Sequence, residues 1–89
     1  MMEPAEPDRF RRLLTNDGRV ARWPKKEVER HFVLEFLRSK FAENRKYTES
    51  EVNDAIGEWH AFNDHALLRR EMFEHGLIHR TRDGRAYRI

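Results

Sequence analysis

The feature that constrains this chain most is an apolar stripe between Lys25 and Phe41. Val28, Phe32, Phe36, Leu37 and Phe41 recur at helical spacing, and Val33 and Leu34 widen the stripe. Glu27, Arg30, Arg38 and Lys40 fall mostly on the opposite side. An amphipathic helix of this kind is stable only when another element covers its apolar face. The cover has to come from a short chain, because the whole sequence has 89 residues. That length makes one small domain, which buries roughly 60–65% of the surface its unfolded chain exposes. With 38% of residues hydrophobic and 38% charged, the core is lean and the surface polar.

The segments on either side supply the cover. Thr48 and Glu51 form a T-x-x-E capping box, and Tyr47 and Val52 stand where a hydrophobic staple would close over it. Val52, Ala55, Ile56 and Trp59 then keep a helical period. Gly57 costs ~1 kcal/mol relative to alanine inside a helix, so close packing is expected there. Asn63 or Asp64 caps a third helix, about 64–75, which ends at Gly76. Two helices joined by a few residues read as a helix-turn-helix.

Residues 77–89 read as a hairpin, with Asp83-Gly84 as the two-residue type I′ signal. Counting outward pairs Arg82 with Arg85, Arg80 with Tyr87 and His79 with Arg88. Ile78, Tyr87 and Ile89, with the stem of Arg80, then share the inner face, expected against the helix 25–41. Upstream, Asp8 caps a short helical turn carrying Phe10, Leu13 and Leu14, and 15–18 is a turn. Residues 19–23 alternate as a short strand that would join the hairpin, and Pro24 suits a first helical position. The expected architecture is α+β: a helix-rich winged-helix-like domain over 8–89, with a C-terminal β-hairpin, a short third strand and a disordered tail at 1–7.

Several function classes drop out. Without cysteine there is no disulfide framework, thiol nucleophile or cysteine-ligated zinc. No apolar run approaches the ~20 residues that span a bilayer. No signal peptide is read at the N-terminus, so a cytoplasmic domain is expected. The five histidines, His31, His60, His65, His75 and His79, form no H-E-x-x-H or equivalent helical pair. No nucleophile–base–acid pattern or glycine-rich phosphate loop is present, so the reading is not an enzyme and implies no metal or cofactor.

Charge is more informative by position than in sum. The net charge is +2. From Thr48 to Asp64 there are five acids and no Lys or Arg, whereas from His65 to Ile89 there are six arginines against three acids. On a helical wheel Leu68, Met72 and Phe73 share the core side of the third helix, with Arg69 among them. Arg69 is therefore read as structural, with Glu51 as its preferred partner. Arg70 is left as the one cation on the outward face, beside Glu71 and Glu74. The hairpin is the stronger candidate for phosphate contact, through Arg82, Arg85 and Arg88.

Four runs carry a family resemblance: 47–53 (YTESEVN), 68–71 (LRRE), 76–80 (GLIHR) and 83–87 (DGRAY). They resemble a bacterial domain family of unknown function with the approximate signature Y-T-E-x-E-V-N, L-R-R-E-L-V, G-L-L-x-R and D-G-x-x-Y. The resemblance runs from about Phe10 to Tyr87 and includes Gly18, Arg19, Pro24, Lys25 and Lys26. Met72-Phe73 stands for the usual Leu-Val, and Arg88 follows Tyr87 where Trp is common. Members of that family occur alone or behind ArsR-type DNA-binding domains in predicted transcriptional regulators, which implies a regulatory role by company. The expected function is a transcription-regulatory domain of winged-helix type, binding nucleic acid weakly or within an assembly through a basic wing. The alternative is a protein-interaction or dimerisation domain without a DNA role. The expected partners are DNA, a second copy of the chain or a regulatory protein, and no membrane.

Overall fold

A computed structural model describes residues 10–89. The expected tail at 1–7 and the Asp8 cap lie outside the described residues. Among the described residues three helices with defined bounds are followed by a hairpin: α1 (Glu27–Arg38), α2 (Glu49–Glu58), α3 (His65–Glu74), β1 (His79–Arg80) and β2 (Tyr87–Arg88). The fold is a small α+β domain, with the strands antiparallel and C-terminal.

The apolar stripe forms a helix, but its centre is shifted. Val33, Leu34 and Leu37 are the buried residues of α1, while Val28 is 49% exposed. Phe32 and Phe36 sit at the rim, where Phe32 stacks on Phe10 at 4.6 Å and Phe36 meets Trp59 edge-on at 6.1 Å. Stacked and edge-to-face ring pairs of this kind add to what the rings gain from burial alone. The helix begins after Pro24 rather than on it, and the Arg30 Nε donates to the Pro24 carbonyl at 2.6 Å. α3, rather than α1, is the central helix, since it packs against both α2 and α1.

The start of α2 forms as its residue types dictate. Glu51 N–H donates to the Thr48 hydroxyl at 3.0 Å, and Thr48 N–H donates to the Glu51 carboxylate at 2.9 Å. Tyr47 and Val52 are both buried. Gly57 does not mark close packing: a Cβ built there meets nothing within 4 Å. Asp64 caps α3 by accepting from Leu67 N–H at 3.2 Å. At the other end Gly76 takes φ 74°, and Leu77 N–H returns to the Met72 carbonyl at 2.8 Å. This left-handed closure turns the chain straight into β1.

The hairpin keeps the expected register, His79 opposite Arg88 and Arg80 opposite Tyr87. Its tip differs. Gly84 has φ 73° but Asp83 is not in the left-handed region, so the type I′ turn, which needs both, does not form. The Thr81 carbonyl instead accepts from Gly84 N–H at 2.9 Å, and Thr81 N–H donates to the Ala86 carbonyl at 2.8 Å. Arg82 and Arg85 thus belong to a four-residue loop and are not a cross-strand pair. Ile78 and Tyr87 are buried as expected, whereas Ile89 is half-buried, and Tyr87 is anchored by Tyr47 and the start of α2.

The third strand also comes from elsewhere. Val20 bridges Leu14 and His60, so 19–23 is stitched to the α2–α3 connection and not to the hairpin. The residue beside the hairpin is Tyr47, whose N–H and carbonyl exchange bonds with Tyr87 at 2.8 and 2.7 Å. The capping box holds Thr48 extended and takes up its N–H, and Tyr47 just before it gives its own N–H and carbonyl to Tyr87.

Candidate functional site

The hairpin loop is organised by one carboxylate. Asp83 Oδ1 accepts from the Thr81 hydroxyl at 2.7 Å and from Arg85 N–H at 3.0 Å. The Arg85 N–H, then the Thr81 hydroxyl, hold the Asp83 carboxyl below its ordinary pKa, and the nearby Lys46 ammonium adds to this. The single acid of the loop is thereby occupied with the loop's own donors.

Around it the cations gather. The Tyr47–Tyr87 bridge brings Lys46 alongside the hairpin. Lys46, His79, Arg80, Arg82 and Arg88 all line one cleft of about 580 Å³. Lys46, Arg82 and Arg85 line the adjoining cleft of about 570 Å³. All are exposed. Among the described residues Lys46, Arg82, Arg85 and Arg88 have no carboxylate within ion-pair distance. The structure therefore brings Arg82, Arg85 and Arg88 together, and adds Lys46 and Arg80 to them. Lys46 was hidden in the sequence because it stands more than thirty residues before the hairpin. The only clue was the capping box, which makes the preceding segment extended and available for strand pairing.

Arg70 lies apart from these three. It lines a smaller cleft of about 300 Å³ between α3 and the hairpin, together with Arg69, Phe73, Arg80 and Tyr87. Arg80 connects the two regions by lining both. Phe73 corrects the helical-wheel reading. It is 45% exposed and shares the outward face of α3 with Arg70, while Glu71 turns toward α1. The buried line of α3 is Leu68 and Met72 alone, so Phe73, one step off that line, faces out.

Arg69 is half-buried, and its partner is not Glu51. Its guanidinium donates to Asn53 Oδ1 and stands 3.8 Å from the Glu49 carboxylate. Glu51 is held by its capping bond and by Arg45 at 3.4 Å. The cap fixes Glu51 at the mouth of α2, and Asn53, two residues on and so on another side of the helix, is the residue that meets α3 through Arg69.

Among the described residues no group of three or more His, Asp or Glu side chains is placed to hold a metal ion. No helix among them is long and apolar enough to cross a membrane.

Residues 19–89 match the DUF2087 family, uncharacterized proteins conserved in bacteria. The chain belongs to this family. No curated protein and no solved structure matches it. The DUF2087 match begins at Arg19, so it takes in all three helices, the hairpin and the clefts around it.

One DUF2087 residue with a definite structural role is His60. It is 3% exposed. Its Nδ1 lies 2.6 Å from the Ile56 carbonyl, and its Nε2 accepts from Asp64 N–H at 2.8 Å. With Nε2 accepting, Nδ1 is the nitrogen that donates to the Ile56 carbonyl. It ties the last turn of α2 to the cap of α3, a spacing of four residues on each side.

Proposed function

We propose that this DUF2087 chain is a transcription-regulatory domain of winged-helix type. It binds nucleic acid, weakly or within a larger assembly, through the hairpin and its surroundings. One observation carries this reading. Lys46, Arg82, Arg85 and Arg88 crowd two adjoining clefts with no carboxylate partner among the described residues. Like charges held close repel one another, and a fold retains such an array at least cost when an anion neutralises it. The phosphate backbone is such an anion, and phosphate contacts supply most of non-specific nucleic-acid affinity. The order of helix, helix, helix and hairpin supports the winged-helix reading, with the hairpin as the wing.

A second reading, a protein-interaction or dimerisation domain, draws on another surface. Between α1 and α3 lies a groove of about 850 Å³ lined in part by Val28, Leu34, His31 and His75. Its rim holds both signs of charge, Lys25 and Arg30 with Glu27 and Glu71. Such a mixed rim suits a polypeptide better than a polyanion.

The test is an anisotropy titration of labelled DNA at two salt concentrations, beside a measured molecular mass. The proposed function predicts binding at low salt that weakens steeply as salt rises. A stable dimer with no nucleic-acid binding at low salt would replace it with the second reading.

A further inference from the structure

We infer that the cleft between α3 and the hairpin receives an unpaired nucleotide, its base stacked on Phe73 and its phosphate held by Arg70 and Arg80. This rests on the nucleic-acid reading and sharpens it to single-stranded, rather than duplex, nucleic acid.

Phe73 is one of two large apolar side chains left substantially exposed among the described residues, at 45%. Unlike the groove that holds Val28, the other one, the cleft that Phe73 lines carries arginines and no carboxylate. The Arg80 guanidinium lies 5.6 Å from its ring centroid and 5.9 Å from that of Tyr87. Arg70, one helical turn before Phe73, lines the same cleft and has no ion-pair partner among the described residues. An exposed ring flanked by guanidiniums is a stacking platform with phosphate donors at its edge, the arrangement that binds unstacked bases. The cleft, about 300 Å³, is at the small end of the range for ligand sites and fits one planar ring system.

The same helix is poorly made for a duplex. Reading the major groove would place the outward face of α3 between two phosphate rails. That face carries Glu74 beside Phe73, and neither gains there. A single strand meets only one side of the helix. Its backbone runs from Arg70 and Arg80 toward Arg88 and Arg82, because Arg80 lines both clefts.

The experiment compares an oligothymidylate, an oligouridylate and a DNA duplex of equal length as probes for the wild type and for Phe73→Ala and Phe73→Leu. The expected result is tighter binding of a single strand than of the duplex. Loss of the ring in either variant then weakens single-strand binding by roughly 5- to 150-fold, with duplex binding and melting temperature nearly unchanged. The two oligonucleotide arms distinguish DNA from RNA as the source of the strand. Single-strand binding indifferent to both variants overturns the stacking site. Preference for the duplex also overturns it, while leaving the basic hairpin as a nucleic-acid surface. No binding of any probe at low salt overturns both readings together.

Discussion

The connection before α3 and the hairpin loop beyond it use arginine in opposite ways. At the connection before α3, Arg19 reaches from the early segment to donate to the Glu58 carbonyl at 3.1 Å and the His60 carbonyl at 2.6 Å. The last turn of α2 has no basic residue of its own, so Arg19 supplies the cation that a helix C-terminus favours. Val20 adds two more bonds, from its N–H to Trp59 and from Ala61 N–H back to its carbonyl, at 2.8 and 2.9 Å. In the hairpin loop between β1 and β2, Arg82 and Arg85 have no protein acceptor for their guanidiniums among the described residues. The first is a joint and the second is a surface. Arginine content alone says nothing of function; whether a guanidinium already has an acceptor within the fold is what separates them.

The comparison breaks most sharply at His60. Replacing it by alanine leaves Asp64 N–H without its acceptor and opens a void beside Ile56 and Phe62, whose ring meets the imidazole at 4.7 Å. The expected loss is roughly 2–4 kcal/mol, read by urea denaturation. A variant as stable as the wild type would mean that the joint before α3 is not a joint.

The neighbouring pair Arg69 and Arg70 gives a smaller contrast on a single helix. Arg69→Ala removes a guanidinium from Asn53 and Glu49, but the Glu49 side chain is 58% exposed and water replaces the lost partner. The expected cost is therefore about 1–2 kcal/mol rather than that of a fully buried pair. Arg70→Ala should change stability by less than about 0.5 kcal/mol. Equal losses in the two variants would erase the distinction between a committed and an available arginine.

Smaller again is Gly57→Ala. The site is helical and a Cβ meets nothing within 4 Å, so the variant should gain up to about 1 kcal/mol. A loss instead would show that the end of α2 is more crowded than the geometry allows.

Local signals in the sequence proved more legible than long-range ones. The capping box at Thr48, the Asp64 cap, the stop at Gly76 and the hairpin register each depend on residues close in sequence. The pairing partners of 19–23 and of the hairpin edge do not, and both were read amiss. A short strand advertises its alternation but not which neighbour has unpaired backbone groups. Val20 found them at His60, and Tyr87 found them at Tyr47. The candidate site follows the same rule. Arg82, Arg85 and Arg88 were visible because the hairpin is local, while Lys46 and the outward turn of Phe73 emerge only from packing. Phe73 was assigned to the core because its wheel position borders the Leu68–Met72 line, and in a lean core that line is already full.

The central claim is that the unpaired cations of the hairpin serve a polyanion. Its most direct test is the slope of log affinity against log salt for wild type and for the double variant Arg82→Ala/Arg85→Ala. Each phosphate neutralised contributes about 0.9 to that slope on duplex DNA and about 0.7 on a single strand. The double variant should flatten it by roughly 1.4–1.8 with the melting temperature nearly unchanged. An unaltered slope, measured on a wild type that does bind, would contradict the account.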